Sequence, residues 1–194
     1  MRRIAMILLV SLSACQDKDQ PISSVAAPTL EIAAARLPEQ VATFTRGDTV
    51  FHERERPGLG VAVDYAGPAR AAVATVSLYD RGRRPDDAAL TEEFNQAVDE
   101  VMAAAGARTR QVMTERDRRE VAVPNGAPMN CARLAGTYGR QEVTTLVCVG
   151  PAAGRFIKVQ VTMPSRQVRP VDPIPFVVEV TQAARAGYST ISSH

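Results

Sequence analysis

Two spacings divide this 194-residue chain. Apolar residues on every second position predict strands, and recurrence at three- and four-residue steps predicts helices. Leu59, Val61, Val63 and Tyr65 alternate with Gly60, Ala62 and Asp64, which is a half-buried strand. Gly67-Pro68 breaks it, and residues 71–80 resume as a strand through Val73, Val76, Leu78 and Tyr79. Upstream, residues 41–45 and 49–53 read as strands around an Arg46-Gly47-Asp48 turn. After a charged loop over 81–87, Leu90, Phe94, Ala97, Val98, Val101, Met102 and Ala105 form one apolar helical face. Asp86, Asp87, Glu92 and Glu93 suit its positive end, and Gly106 is placed to stop it.

The later part continues the alternation. Residues 108–117 and 120–124 read as strands, with Asp117-Arg118 either a hairpin turn or a bend within one long strand. Residues 155–163 form another strand, and 175–186 a closing helix with Pro175 in its first turn and Gly187 after it. Val177-Val178-Glu179-Val180 leaves a strand open there as an alternative. The order predicts an α+β domain, an antiparallel β-sheet of about six or seven strands with two helices packed against it.

One hairpin can be read to the residue. Gly139-Arg140 suits a two-residue type II′ turn, with glycine first. Tyr138 then faces Gln141, and paired residue numbers sum to 279, which sets Cys131 opposite Cys148. Alternate rungs make this a non-hydrogen-bonded pair, where Cα atoms approach to about 4.5 Å, within reach of a disulfide. Two separate buried thiols are the alternative. No Cys-x-x-Cys spacing points to redox catalysis, so the bond reads as structural.

The N-terminus speaks to location. Arg2 and Arg3 precede an apolar run over 4–12, too short to span a bilayer, and small residues follow, as in a secretory signal. Leu12-Ser13-Ala14-Cys15 resembles the lipobox of bacterial lipoproteins. That resemblance implies a signal peptide over 1–14 and lipidation of Cys15 as the first mature residue. It also implies membrane attachment through that lipid, since more than one acyl chain gives a stable anchor. Gln16 after the cysteine, by analogy with enteric lipoproteins, favours the outer membrane facing the periplasm. Residues 15–36, polar and then punctuated by Ala and Pro, read as a flexible tether with room for a short helix capped by Thr29. The domain is expected over 37–187 and a loose tail over 188–194.

Charge narrows the function classes. The chain holds 23 Lys and Arg against 21 Asp and Glu; Arg2 and Arg3 leave with the signal, so the mature chain is formally neutral. A nucleic-acid binder normally carries a basic excess, so no nucleic-acid partner is expected. Candidate chemistry is sparse. His52 and His194 lack the spaced partners of a zinc site, and neither a Gly-x-Ser-x-Gly elbow nor a P-loop occurs. Gly58-Leu59-Gly60 lacks the third glycine of a dinucleotide fingerprint, so no catalytic, cofactor or metal residue is assigned. Over 38–187 the element order is similar to that of the PsbP/Mog1-like folds, whose members mostly act as binding or assembly factors. The expectation is therefore a lipid-anchored envelope module that binds, with a possible protein partner in the cell envelope. An envelope hydrolase, built around His52 or around a carboxylate pair in a cleft with shifted pKa, is one alternative. A periplasmic small-ligand carrier is another, and it predicts a deep apolar pocket between helix and sheet.

Overall fold

The computed structural model describes residues 28–109, 112–167 and 170–186. The signal segment, Cys15, most of the tether and the tail fall outside the described residues. The domain is a single antiparallel sheet in the order β1-β2-β3-β4-β8-β7-β6-β5. Its strands are β1 (Gln40–Val41), β2 (Phe44–Phe51), β3 (Val61–Ala66), β4 (Val73–Tyr79), β5 (Thr114–Val121), β6 (Met129–Tyr138), β7 (Gln141–Ala152) and β8 (Arg155–Pro164). The order is two four-strand meanders, β1 to β4 and β5 to β8, joined edge to edge by β4 and β8. The helices are α1 (Leu30–Ala35), α2 (Asp87–Thr109), which connects the meanders, and α3 (Ile174–Ala186).

The α+β class and the antiparallel sheet are as expected. Among the described residues the sheet has eight strands instead of six or seven, and three helices stand instead of two. The two-residue β1 is too short for any periodic signal; Ala42, at φ 49°, turns it straight back into β2. α1 lies within the span read as tether. Thr29 caps it, accepting a hydrogen bond from Ile32 N, and Ala34 is buried in the core, so the packed chain reaches back past Leu37.

The pleat sorts side chains into two cores. On one face Val61, Val63, Val76, Ile157, Val159 and Val161 pack with Ala34 of α1 and with Phe176, Val177 and Val180 of α3. Phe176 is its centre, with ring centroids 4.4 Å from Phe44 and 5.2 Å from Tyr65. Such aromatic pairs add to burial through edge and offset contacts. Burial pushes the Tyr65 phenol up to about 12, and its hydroxyl donates to Pro38 O at 2.8 Å. On the other face Ala89, Leu90, Phe94, Ala97 and Val98 of α2 meet Leu134, Val147, Val149 and Phe156. This is the predicted apolar face of α2. The helix begins at Asp86, whose Oδ1 accepts from Ala89 N at 2.8 Å, but it runs through Gly106 to Thr109.

The hairpin has the expected register. Tyr138 pairs with Gln141 and Cys131 with Cys148, and the two cysteines are bonded, with Cα atoms 4.1 Å apart. Both lie in the core beneath α1 and α3.

The tripeptide Arg46-Gly47-Asp48 is not a turn between two strands. It sits inside β2, where the register to β3 slips between Arg46 and Thr49 as in a β-bulge. Arg46 faces inward, donating to Leu37 O at 2.5 Å and to Ala34 O at 3.0 Å. It thereby adds a second donor to the Ala34 carbonyl, which already accepts from Leu37 N at 3.1 Å at the end of α1. Likewise β5 is one strand through Asp117-Arg118, with a slip between Glu115 and Asp117.

Candidate functional site

α2 lies mainly over β6 and β7 of the second meander and touches the first through Tyr79 at the end of β4. On its side of the sheet, the seam between β4 and β8 is left without a helix above it. The strands still alternate there, and their outward residues are polar: Thr75 and Ser77 on β4 are paired with Gln160 and Lys158 on β8. The uncovered strip forms the floor of two adjoining hollows.

The larger hollow, about 610 Å³, opens between the second half of α2 and the sheet. This falls inside the roughly 300–1,000 Å³ range of small-molecule sites. Val101 and Ala104 of α2, with Met113, make one wall, and Ala71, Ala72 and Val73 make the other. Thr145, Gln160 and Thr162 supply hydrogen-bonding groups on the floor; the two threonine hydroxyls lie 3.0 Å apart. Val73, at 57% exposure, presents bare apolar surface at the rim. Two backbone features shape the walls. Gly136 lets Met113 lie against β6, since a Cβ there would collide with Met113 Sδ and the Val112 carbonyl. Ala69 and Arg70 both adopt φ near +50°, rare for residues with a side chain; Gly67 N to Ala72 O, 2.9 Å, closes the loop that carries them.

The smaller hollow, about 340 Å³, adjoins it and shares Glu100 and Gln160. Its walls are the 52–60 loop and Arg81. Lys158 Nζ bonds Glu100 Oε2 at 2.8 Å, a bridge from β8 to α2 where the hollows meet. Burial would raise the Glu100 pKa, but hydrogen bonds from Lys158 and Gln96 and the charges of Lys158 and Arg81 outweigh it and hold it below the ordinary carboxylate range. Arg81 stacks over the Tyr79 ring at 4.9 Å. It bonds the buried Glu93 at 3.0 Å and donates Nη1 to Gly58 O at 3.1 Å. Burial, with the carboxylate of Glu93 alongside, drives the Tyr79 phenol well above its usual range. The loop itself hangs on Glu53, whose carboxylate accepts from Gly58 N at 2.9 Å and Gly60 N at 2.8 Å. Those backbone donors hold the Glu53 pKa below its usual value.

His52 lines this smaller hollow together with Ser77. Among the described residues no side-chain hydrogen bond joins His52 to a serine or a carboxylate. No group of three or more His, Cys, Asp or Glu placed to hold a metal ion occurs among the described residues, and no described helix is long and apolar enough to cross a membrane. A third hollow, of about 540 Å³, lies on the opposite face beside Arg119, Arg133 and Arg166. Asp117 and Glu142 pair with the last two, so little net charge is left there.

The carrier alternative called for a pocket between helix and sheet, and the larger hollow has that position. Val73, Val101 and Gln141, which line it, were read from the sequence as strand, helix and hairpin positions, and no lining residue was assigned to a site. The available signal was the run of polar residues on one side of β8, namely Lys158, Gln160 and Thr162, opposite an apolar side. That pattern is also what ordinary solvent exposure produces. Compared with known families and with curated proteins, the chain matches no family and no curated protein.

Proposed function

We propose that this chain is a lipid-anchored envelope protein whose domain binds a small ligand in the cleft between α2 and the sheet. One observation carries the binding reading: a cleft of about 610 Å³ with apolar walls and a floor of threonine and glutamine groups. Apolar walls with a few placed polar groups are the usual build of small-molecule sites. The anchor reading is supported by Leu12-Ser13-Ala14-Cys15 and the preceding apolar run, and the outer-membrane, periplasm-facing location by Gln16. Element order, a sheet with flanking helices, supports the likeness to the PsbP/Mog1-like folds and their binding roles.

The test is native mass spectrometry on protein released gently from envelopes. An added mass on the native chain that is lost in Ala104→Trp, which fills the cleft from exposed α2 surface, supports the reading. Identical unladen spectra for both forms count against it. Labelling with radioactive palmitate should require Cys15 and vanish in Cys15→Ser.

A further inference from the structure

The two hollows differ in chemistry, and the difference says what kind of molecule fits both. The larger is walled by Val101, Ala104, Met113 and Val143. The smaller is lined by Arg56, Arg81 and Lys158 against one carboxylate, Glu100; Glu93 lies buried behind Arg81. Lys158 is occupied by Glu100. Arg56 is exposed and has no ion-pair partner among the described residues. Arg81 uses Nε and Nη1, which leaves Nη2 without a protein partner among them. The 52–60 loop is tied together by the Glu53 carboxylate at Gly58 N and Gly60 N, and Arg56 N bonds His52 O at 2.8 Å. An apolar slot thus continues into a hollow with unspent cationic donors.

Resting on the cleft reading above, we infer that the ligand is a single-chain anionic amphiphile. Its apolar chain lies along α2, and its charged head meets Arg56 and Arg81 beyond the Lys158–Glu100 bridge. Guanidinium groups suit both carboxylate and phosphate oxygens. A free fatty acid and a lysophospholipid share this chemistry.

Calorimetric titration of the full chain carrying Cys15→Ser tests the inference with dodecanoate, lauroyl lysophosphatidylglycerol and dodecanol. An anionic probe should bind about tenfold more tightly than dodecanol, the gain expected of a charged hydrogen bond. Arg56→Ala should remove most of that gain, Arg54→Ala should leave it intact, and Ala104→Trp should weaken all three probes. Tighter binding of dodecanoate assigns the head to a carboxylate, and tighter binding of the lysolipid assigns it to a phosphodiester; both support the inference. Equal affinity for dodecanol and both anions, lost in Ala104→Trp, overturns the anionic head while the cleft reading stands. No binding of any probe overturns both.

Discussion

Reducing the Cys131–Cys148 bond should lower the stability of the domain by about 3 kcal/mol, a figure that comes from the length of chain it closes. The cysteines are 17 positions apart. In the chain-entropy account a loop of about that length removes roughly 11 cal/mol/K from the unfolded ensemble, or about 3 kcal/mol at room temperature. The folded side of the balance should change little, because the pairing of β6 with β7 already sets the two residues face to face. Urea unfolding with and without reductant, in a Cys15→Ser background with free thiols titrated, reads the difference. With slopes of about 1–3 kcal/mol per molar urea, the midpoint should fall by about 1–3 M. The Cys131→Ala/Cys148→Ala double variant should be insensitive to reductant. Coincident midpoints for a form with no free thiols and a form with two would refute the reasoning.

Other outcomes follow from single contacts. Phe176→Ala removes a fully buried ring between Phe44 and Tyr65; thermal or urea melts should show a loss of about 3–5 kcal/mol. Glu53 has a lowered pKa in the fold, so its contribution is present above the unfolded carboxylate pKa and is lost as pH falls through the folded value. The protection factors of the Gly58 and Gly60 amides, taken against the intrinsic exchange rate at each pH, should fall on acidification in the native chain, and Glu53→Gln should abolish that dependence. Arg185 donates Nε to Pro151 O at 2.9 Å, but its Nη1 and Nη2 are buried without partners among the described residues. Burial lowers its pKa accordingly. Arg185→Met should therefore leave the melting temperature unchanged or raise it, since an apolar replacement of a buried charge is often neutral or stabilising; a clear drop would contradict this.

How much of this was legible in the sequence depended on whether the signal was local. The β6–β7 hairpin was readable to the rung because a glycine fixes its turn and antiparallel pairing then fixes every partner, Cys131 and Cys148 included. The apolar face of α2 was readable for the same reason. Its end was not: Gly106 looks like a stop, yet a glycine costs only about 1 kcal/mol inside a helix, and packing can outweigh that. At Arg46-Gly47-Asp48 local turn preference lost to a long-range demand, since Arg46 is held by Leu37 and Ala34. The cleft was invisible for a different reason. It opens between the second half of α2 and the sheet, and the placement of that helix over β6 and β7 is not written in any one segment.

The joining of two meanders by a single seam has a kinetic consequence. Every neighbouring pair within a meander comes from consecutive strands, whereas β4 and β8 bring together residues 77 to 89 positions apart, from Tyr79–Phe156 to Val73–Thr162. Loop-closure cost grows by about 0.6 kcal/mol per doubling of length, so the seam is the most expensive pairing to nucleate. The two meanders should therefore form first and dock last, with Val76→Ala and Val159→Ala speeding unfolding far more than they slow folding. The strip of sheet beneath the cleft would then be the final surface to come into being, and a molecule seated across it would act as a clasp on the last step of folding.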